Sequence, residues 1–307
     1  MEKIEVRFKI VTPMFISGAD QTKAELRVPS IKGALRFWWR ALNYEEDPKI
    51  LLENENKIFG SSDQIIGQSK IKLSLCDEQL IKSKIERKWN VNDWKAYIGY
   101  GLSEDKPPRS GNFKEFFQPG SKFTLRCSGS DKENLEKIIL PIKAFSLLGG
   151  LGSRSRKGWG SVAIDGIKGY GWNIPENIKD YIEDISHILK NNMSEIPKYS
   201  AFSKQTMIKV GQSFKDSDSS FTDIGERYKE YLKSLKPEER EGFGIPRKGV
   251  SNDRRSSPLL IHVNNIQDEY FWVCLFLKSK FTEQYETPRN GWSHVENFID
   301  QLEGVNI

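Results

Sequence analysis

Gly149-Gly150-Leu151-Gly152-Ser153-Arg154-Ser155-Arg156-Lys157-Gly158-Trp159-Gly160 crowds five glycines and three cations into twelve positions. The apolar run Ile138 to Leu148 leads into it, and Ser161-Val162-Ala163-Ile164 leads out with the look of a strand, so the segment joins a helix to a strand. That order decides what the glycines can do. A dinucleotide fingerprint or a P-loop runs strand, glycines, helix, because the phosphate sits on the helix N-terminus, and the string G-x-x-x-x-G-K-[ST] is absent here. A mononucleotide site is therefore disfavoured. Glycines reach positive φ without steric cost and let a backbone approach closely, so successive N–H groups at Gly150 and Gly152 can form a concavity for anions. Arg154, Arg156 and Lys157 add charge to it, and Trp159 offers a face for stacking, which suits an extended sugar-phosphate chain better than one small phosphate. A surface turn whose cations are merely solvated is the other reading of the same residues.

Composition narrows the classes. A chain of 307 residues with 37% hydrophobic and 29% charged residues has room for one large or two ordinary globular domains. The net charge of +5 permits a polyanionic partner without requiring one. Cys76, Cys127 and Cys274 are widely spaced and without C-x-x-C pairing, which argues against a disulfide framework or a zinc site and points to a reducing cytoplasm. Charged residues stand where a signal peptide would be apolar, and no apolar run approaches a membrane span, so a soluble, unexported chain is expected.

Taken in order, Lys3 to Thr12 alternates as a half-buried strand, and Pro13 through Pro29 is loop-like. From Pro29 to Leu42 the residues Ile31, Ala34, Leu35, Trp38, Ala41 and Leu42 recur at helical spacing, with Ser30 as the expected N-cap. Lys32, Arg36 and Arg40 stand four apart on another side with Trp39 between the last two, a cationic stripe suited to phosphates and stacked bases, or else a solvated face beside a packed tryptophan. A second helix over Glu45 to Ile58, strands around Ile71–Leu75 and Phe123–Cys127, an insertion from Asn90 to Gln118, a helix over Asp131 to Leu148 and a strand from Ser161 to Ile167 complete the first half. Its order of strand, helix, two strands, helix, strand predicts a ferredoxin-like (RRM-like) unit over residues 1–170.

A second, smaller α+β unit is expected over 171–307. It comprises a helix from Pro175 to Asn191, a strand at Thr206–Val210, a polar link at Ser217–Thr222 and a helix over Ile224–Leu235. Strands Leu259–Val263 and Tyr270–Leu277 follow, paired around Asn264-Asn265, then a closing helix at Trp292–Leu302. Gly242-Phe243-Gly244 and Asp253-Arg254-Arg255-Ser256-Ser257-Pro258 belong to a second basic loop region, with Lys248, Arg254 and Arg255 as candidate phosphate contacts or solvated turn residues. The fold class predicted is thus α+β, two tandem ferredoxin-like domains with insertions.

The strings Ser30 to Arg40 and Gly149 to Gly160 resemble the first-helix motif and G-rich loop of the RAMP proteins of CRISPR systems. The Phe37-Trp38-Trp39-Arg40 run, with the downstream Ser-Pro string, is similar in particular to the family of first subunits of type III-B Cmr effector complexes. The resemblance implies two ferredoxin-like domains, binding of guide RNA or its duplex with target RNA near the guide's 3′ end, assembly with other Cmr complex subunits, and a role in antiviral defence.

Catalysis is weighed apart. Relatives that process guide precursors use a histidine, whereas this chain has only His187, His262 and His294 at unrelated spacing. Relatives that slice target RNA place an aspartate where Asp20 stands, but one carboxylate can equally hold a turn. The expectation is a non-catalytic RNA-binding subunit without metal or cofactor. Metal-dependent cleavage through Asp20 and a purely protein-binding scaffold are the alternatives.

Overall fold

The computed structural model describes residues 2–61, 67–103, 113–189, 196–245, 255–281, 287–288 and 291–307. Lys248 and Arg254, and residues 104–112 of the expected insertion, lie outside the described residues.

Ile4, Val6, Phe8 and Ile10 alternate with charged residues, and strand β1 (Glu2–Ile10) buries all four on one face. Helix α1 (Val28–Leu42) and helix α2 (Pro48–Phe59) follow, then strand β2 (Ile71–Gln79). A small insertion holds β3 (Lys82–Lys84), α3 (Trp94–Ile98) and β4 (Glu115–Phe117). Strand β5 (Lys122–Gly129), helix α4 (Lys132–Leu148) and strand β6 (Val162–Lys168) close the unit. The antiparallel sheet order is β2-β5-β1-β6, which is the ferredoxin-like arrangement. The register sets Phe8 opposite Phe123, their rings stacked at 5.3 Å, and Phe145 of α4 meets Phe8 edge-on at 5.4 Å.

The second half repeats the plan. After helix α5 (Ile178–Leu189) come β7 (Met207–Val210), α6 (Ser217–Ser234), β8 (Leu259–Ile266), β9 (Glu269–Phe276), α7 (Ser293–Gln301) and β10 (Val305–Asn306). The sheet order β10-β7-β9-β8 is again antiparallel and ferredoxin-like, so the predicted fold class stands. Every residue of β8 is buried, His262, Asn264 and Asn265 included. Helix α5 packs on the first unit: the Tyr181 hydroxyl donates to the Leu147 carbonyl, and Lys143 and Asp184 approach at 3.9 Å. Its tyrosine ring also meets Phe271 of β9 at 4.9 Å. Strands β6 and β8, each at the edge of its own sheet, lie against one another.

Local chemistry moved several boundaries. Helix α1 begins at Val28 with Arg27 as N-cap and Pro29 in the first turn, so Ser30 lies inside the helix instead of capping it. Helix α2 begins at Pro48 because Asp47 accepts from the Lys49 amide, three residues later than expected. The supposed polar link at Ser217–Thr222 is the first turn and a half of α6, started by Asp216 accepting from the Ser219 amide. The hairpin turns at Gln267-Asp268, three residues beyond the expected Asn264-Asn265, with Gln267 at φ 52°. Helix α4 runs through Pro141. The three cysteines are free thiols.

The glycine loop is held by contact on all sides. A Cβ at Gly160 would lie 2.0 Å from the Leu151 carbonyl oxygen with φ at +66°, whereas one at Gly33, in the middle of α1, would meet nothing within 4 Å. Gly160→Ala is therefore expected to lower unfolding free energy by about 2 kcal/mol or more, while Gly33→Ala raises it by about 1 kcal/mol. Urea unfolding of the two variants checks both signs.

Candidate nucleic-acid interface

Three elements assemble the surface: α1, α2 packed beside it, and the 149–160 loop. On α1 the buried residues are Ile31, Leu35, Trp38, Trp39 and Ala41. The core face is wide because α1 packs on α4 and α2 together. Trp38 stacks on Phe202 at 6.1 Å, and Trp39 is only 6% exposed. The prediction that Trp39 stacks on a base is therefore corrected: it is a core residue.

Lys32, Arg36 and Arg40 do share one side, but two of them are not freely solvated. Glu55 of α2, 1% exposed, accepts from Arg40 Nη1 at 2.6 Å and from Arg36 Nε. Arg36 Nη2 also donates to the Asn56 side chain at 3.0 Å. A carboxylate this deeply buried is tolerated only when paired, so Glu55 fixes both guanidinium groups from beneath. One negative charge serves two arginines, and the arginine side chains keep 28% and 36% of their surface. Lys32 has no ion-pair partner among the described residues. Partial burial and the neighbouring Arg36 charge hold its ammonium below the usual lysine range. Lys32 and Arg36 line a cavity of about 460 Å³ between α1, α2 and residues 60–61 and 67–69. Glu55 was missed in the sequence reading, although it left a signal: an acid at helical spacing between Leu51 and Phe59, on the stripe that should be apolar.

The loop reaches the same helix from its other flank. Phe37 lies one residue, about 100°, round the helix from Arg36, and the Arg156 guanidinium sits over its ring at 4.8 Å. Arg156 Nη1 donates to the Ser257 carbonyl at 2.6 Å, and burial lowers its pKa. Gly33 and Arg40 occupy the strip between the two flanks, where Gly33 leaves the helix backbone bare. Arg154, exposed and at φ 64°, donates twice to the Tyr100 carbonyl, at 3.0 and 2.7 Å.

Several predicted site residues point inward. Trp159 is 2% exposed, stacked on Trp89 at 5.1 Å and Trp94 at 6.2 Å, with Phe15 and Phe221 edge-on. It is a core anchor, not a stacking platform. Lys157 turns into the second unit, donating to the Tyr228 hydroxyl and to Ser257 Oγ at 3.2 Å, with the Tyr228 ring 4.3 Å away. Desolvation lowers its pKa to about 7. Arg255 donates to Ser279 Oγ at 2.6 Å and stacks over Trp292 and Phe281, and burial with the Arg156 charge lowers its pKa to about 10. Gly150 and Gly152 answer to packing: added Cβ atoms would lie 2.8 Å from the Gly160 carbonyl and 2.4 Å from the Phe15 carbonyl. Asp20 is exposed and accepts from the Thr22 amide at 2.9 Å and hydroxyl at 2.6 Å, which lowers its pKa and makes it a turn residue. Among the described residues no group of three or more His, Cys, Asp or Glu is placed to hold a metal ion, and no helix is long and apolar enough to cross a membrane.

The Lys157 environment sets a pH dependence. A lysine whose folded pKa lies near 7 binds fewer protons than its unfolded form between about pH 7 and the unfolded value of about 10.4, so its contribution destabilises the fold below pH 7 and fades as pH rises through that window. Lys157→Met should flatten that rise of stability with pH relative to the parent chain, measured by urea unfolding at pH 7, 8.5 and 10.

Comparison with known proteins places this geometry. A profile of the RAMP superfamily matches residues 7–163, from β1 across the glycine loop to the start of β6. The Cmr1-1 subunit of the CRISPR Cmr system of Pyrococcus furiosus is 28% identical over 303 residues, covering 89% of this chain and 87% of that protein. Cmr1-2 of the same organism is 28% identical over 176 residues, covering 52% of this chain and 92% of its own. The crystal structure of apo Cmr1 from P. furiosus superposes with a TM-score of 0.70 at 25% identity, covering 100% of this chain and 98% of the other. A chain of the type III-B Cmr-beta assembly bound to cognate target RNA shares the fold, with a TM-score of 0.60 at 14% identity, covering 97% of this chain and 98% of the other. With its profile match over half of its length and both sheets in ferredoxin-like order, the chain belongs to the RAMP superfamily.

Proposed function

We propose that this chain is the Cmr1 subunit of a type III-B CRISPR effector and binds RNA, guide RNA or its duplex with target RNA, without cleaving it. One observation carries the RNA reading: the Arg156–Phe37 contact brings the glycine loop onto the helix that carries Lys32, Arg36 and Arg40, with Arg154 exposed two residues earlier in that loop. Three helix cations face a single buried carboxylate, leaving an excess of positive charge that a ribose-phosphate backbone can neutralise. Similarity to Cmr1 subunits and to an assembly bound to target RNA supports the same reading and adds other Cmr subunits as neighbours. Residues 1–170 and 171–307 are proposed as its two domains. Asp20 holds a turn and, among the described residues, belongs to no group of three or more His, Cys, Asp or Glu placed to hold a metal ion.

Single-stranded RNA binding at several salt concentrations tests this. Lys32→Gln and Arg154→Gln, two of the three strip cations without a carboxylate partner among the described residues, should each weaken binding several-fold and reduce the slope of log affinity against log salt by about 0.7. Trp39→Ala and Trp159→Ala should instead cost about 3–5 kcal/mol of stability and leave that slope unchanged in whatever fraction stays folded. Absence of RNA binding by the wild-type chain would overturn the RNA assignment and leave a protein scaffold, and binding without salt dependence would overturn the phosphate contacts. Retention of RNA cleavage by the assembled complex carrying Asp20→Ala checks the non-catalytic part.

A further inference from the structure

A second concavity lies away from the cationic strip. Strands β6 and β8 meet where the Val263 amide donates to Ser161 Oγ at 3.1 Å, and beyond that point they separate around a cleft of about 1030 Å³. Both strands stand at sheet edges. The glycine loop covers the start of each: Ser161 bridges Gly150, and Ile261 bridges Lys157. From Ala163 on β6 and Asn264 on β8 no strand of the described residues pairs with the outer edge, and both segments line the cleft. Ile164 to Ile167 are only half-buried, as an open edge requires. An uncovered edge is a row of unpaired N–H and C=O groups, which proteins ordinarily cap or charge.

The charge of this cleft is the reverse of the α1 strip. Asp165, Glu176, Asp180, Glu183 and Asp184 line it against Lys9 and His187. Asp165 is held by Arg7 and Lys122, Asp184 accepts from Trp172 Nε1, and Asp180 accepts from the Asn177 side chain and the Glu176 amide. Glu176 and Glu183 have no ion-pair partner among the described residues, and the Lys9 ammonium is taken by Asn265 and Tyr270. Such walls repel a polyanion and attract lysine or arginine. The open run of five β6 residues, at about 3.3 Å each, presents roughly 15 Å of edge, enough for four or five residues of an extended chain.

We propose that this cleft receives an extended, lysine- or arginine-bearing segment of a neighbouring protein, which adds as a strand to the open edge of β6 and sets its cations against Glu176 and Glu183. The inference rests on the reading that the chain assembles with other protein subunits. Main-chain pairing supplies the register and the two free carboxylates select the charge, so RNA is excluded from this face while it occupies the other.

The test is a photo-crosslinker at the cleft rim, Gln267→p-benzoylphenylalanine, in the assembled effector, with the adduct identified by mass spectrometry. The expected result is a single protein adduct within a segment of net positive charge, reduced at least tenfold by Glu176→Lys/Glu183→Lys. An RNA adduct, a neutral or acidic segment, no adduct in an assembled complex, or indifference to the double reversal would each overturn the proposal. Co-purification with the other subunits reads the assembly question separately. Anisotropy with a nine-residue alternating Lys-Val peptide on the free chain decides the cleft where assembly fails. Binding lost on backbone N-methylation of the peptide and on the double reversal supports strand addition, while equal binding of a Glu-Val peptide sinks it.

Discussion

The wedging of one loop between two sheets is the constraint on which the rest of the molecule depends. Residues 149–160 leave α4, cross to the edge of β8, and return as β6. In that crossing Ile261 donates to the Arg156 carbonyl at 3.0 Å, and Thr12 Oγ1 donates to the Gly158 carbonyl at 2.6 Å. Trp159 then fills the space between the insertion helix α3, α6 and the 13–17 segment. Truncating so large a buried ring leaves a void that its neighbours cannot close, and such changes cost about 3–5 kcal/mol. The loop is thus a structural pin before it is anything else. Its composition follows: glycine wherever backbone meets backbone, tryptophan where volume is needed, and a lysine that lies along the Tyr228 ring.

Charge is managed by the same economy on α1. Three cations along one side would repel one another, and Glu55 relieves this from beneath at the cost of burying a carboxylate. Buried ion pairs seldom add net stability, because desolvation offsets their attraction. What they do provide is fixed geometry. Two guanidinium groups held on one carboxylate cannot sample the many rotamers of a solvated arginine, so the entropy of ordering them is spent in folding and not in binding. This corrects the simple picture of a free cationic stripe without removing its charge excess. Among the described residues Lys32 on α1 and Arg154 and Arg156 on the loop have no carboxylate partner, Arg154 lying by Tyr100 and Arg156 by Phe37.

Much of the fold was legible because period and punctuation agree. The alternation in β1, the helical period of α4 and the repeated strand–helix order are local signals, and each survived into the structure. The site was legible only in part, for a physical reason. Helical spacing tells which residues share a side but not what is packed against that side, so Trp39 and Arg36 could not be told apart as partners for solvent, core or acid until α2 was in place. Trp159 misled in the same way: beside three cations it reads as a stacking surface, yet its neighbours Trp89, Trp94 and Phe221 come from positions 70 residues upstream and 62 downstream at the extremes, beyond any local pattern. Arg255 and Lys157 were read from charge alone, and aromatic rings elsewhere in the chain claim both.

Packing and recognition are therefore not rival explanations of the glycine loop. Positions 152 and 160 call for glycine twice over, because φ is positive and because the Phe15 and Leu151 carbonyls leave no room for a side chain, and that closeness is what makes the loop rigid. Rigidity in turn fixes where Arg154 and Arg156 leave the backbone, the first aimed across at Tyr100 and the second laid on Phe37. A flexible glycine turn would present the same charges in a spread of positions and would have to be ordered by its ligand. Here the ordering is done by contacts inside the protein, so under the proposed RNA-binding role an extended polyanion would meet cations already spaced along its path. Specificity for shape can then arise without a single base contact, since a backbone that does not match that spacing forfeits part of the charge neutralisation.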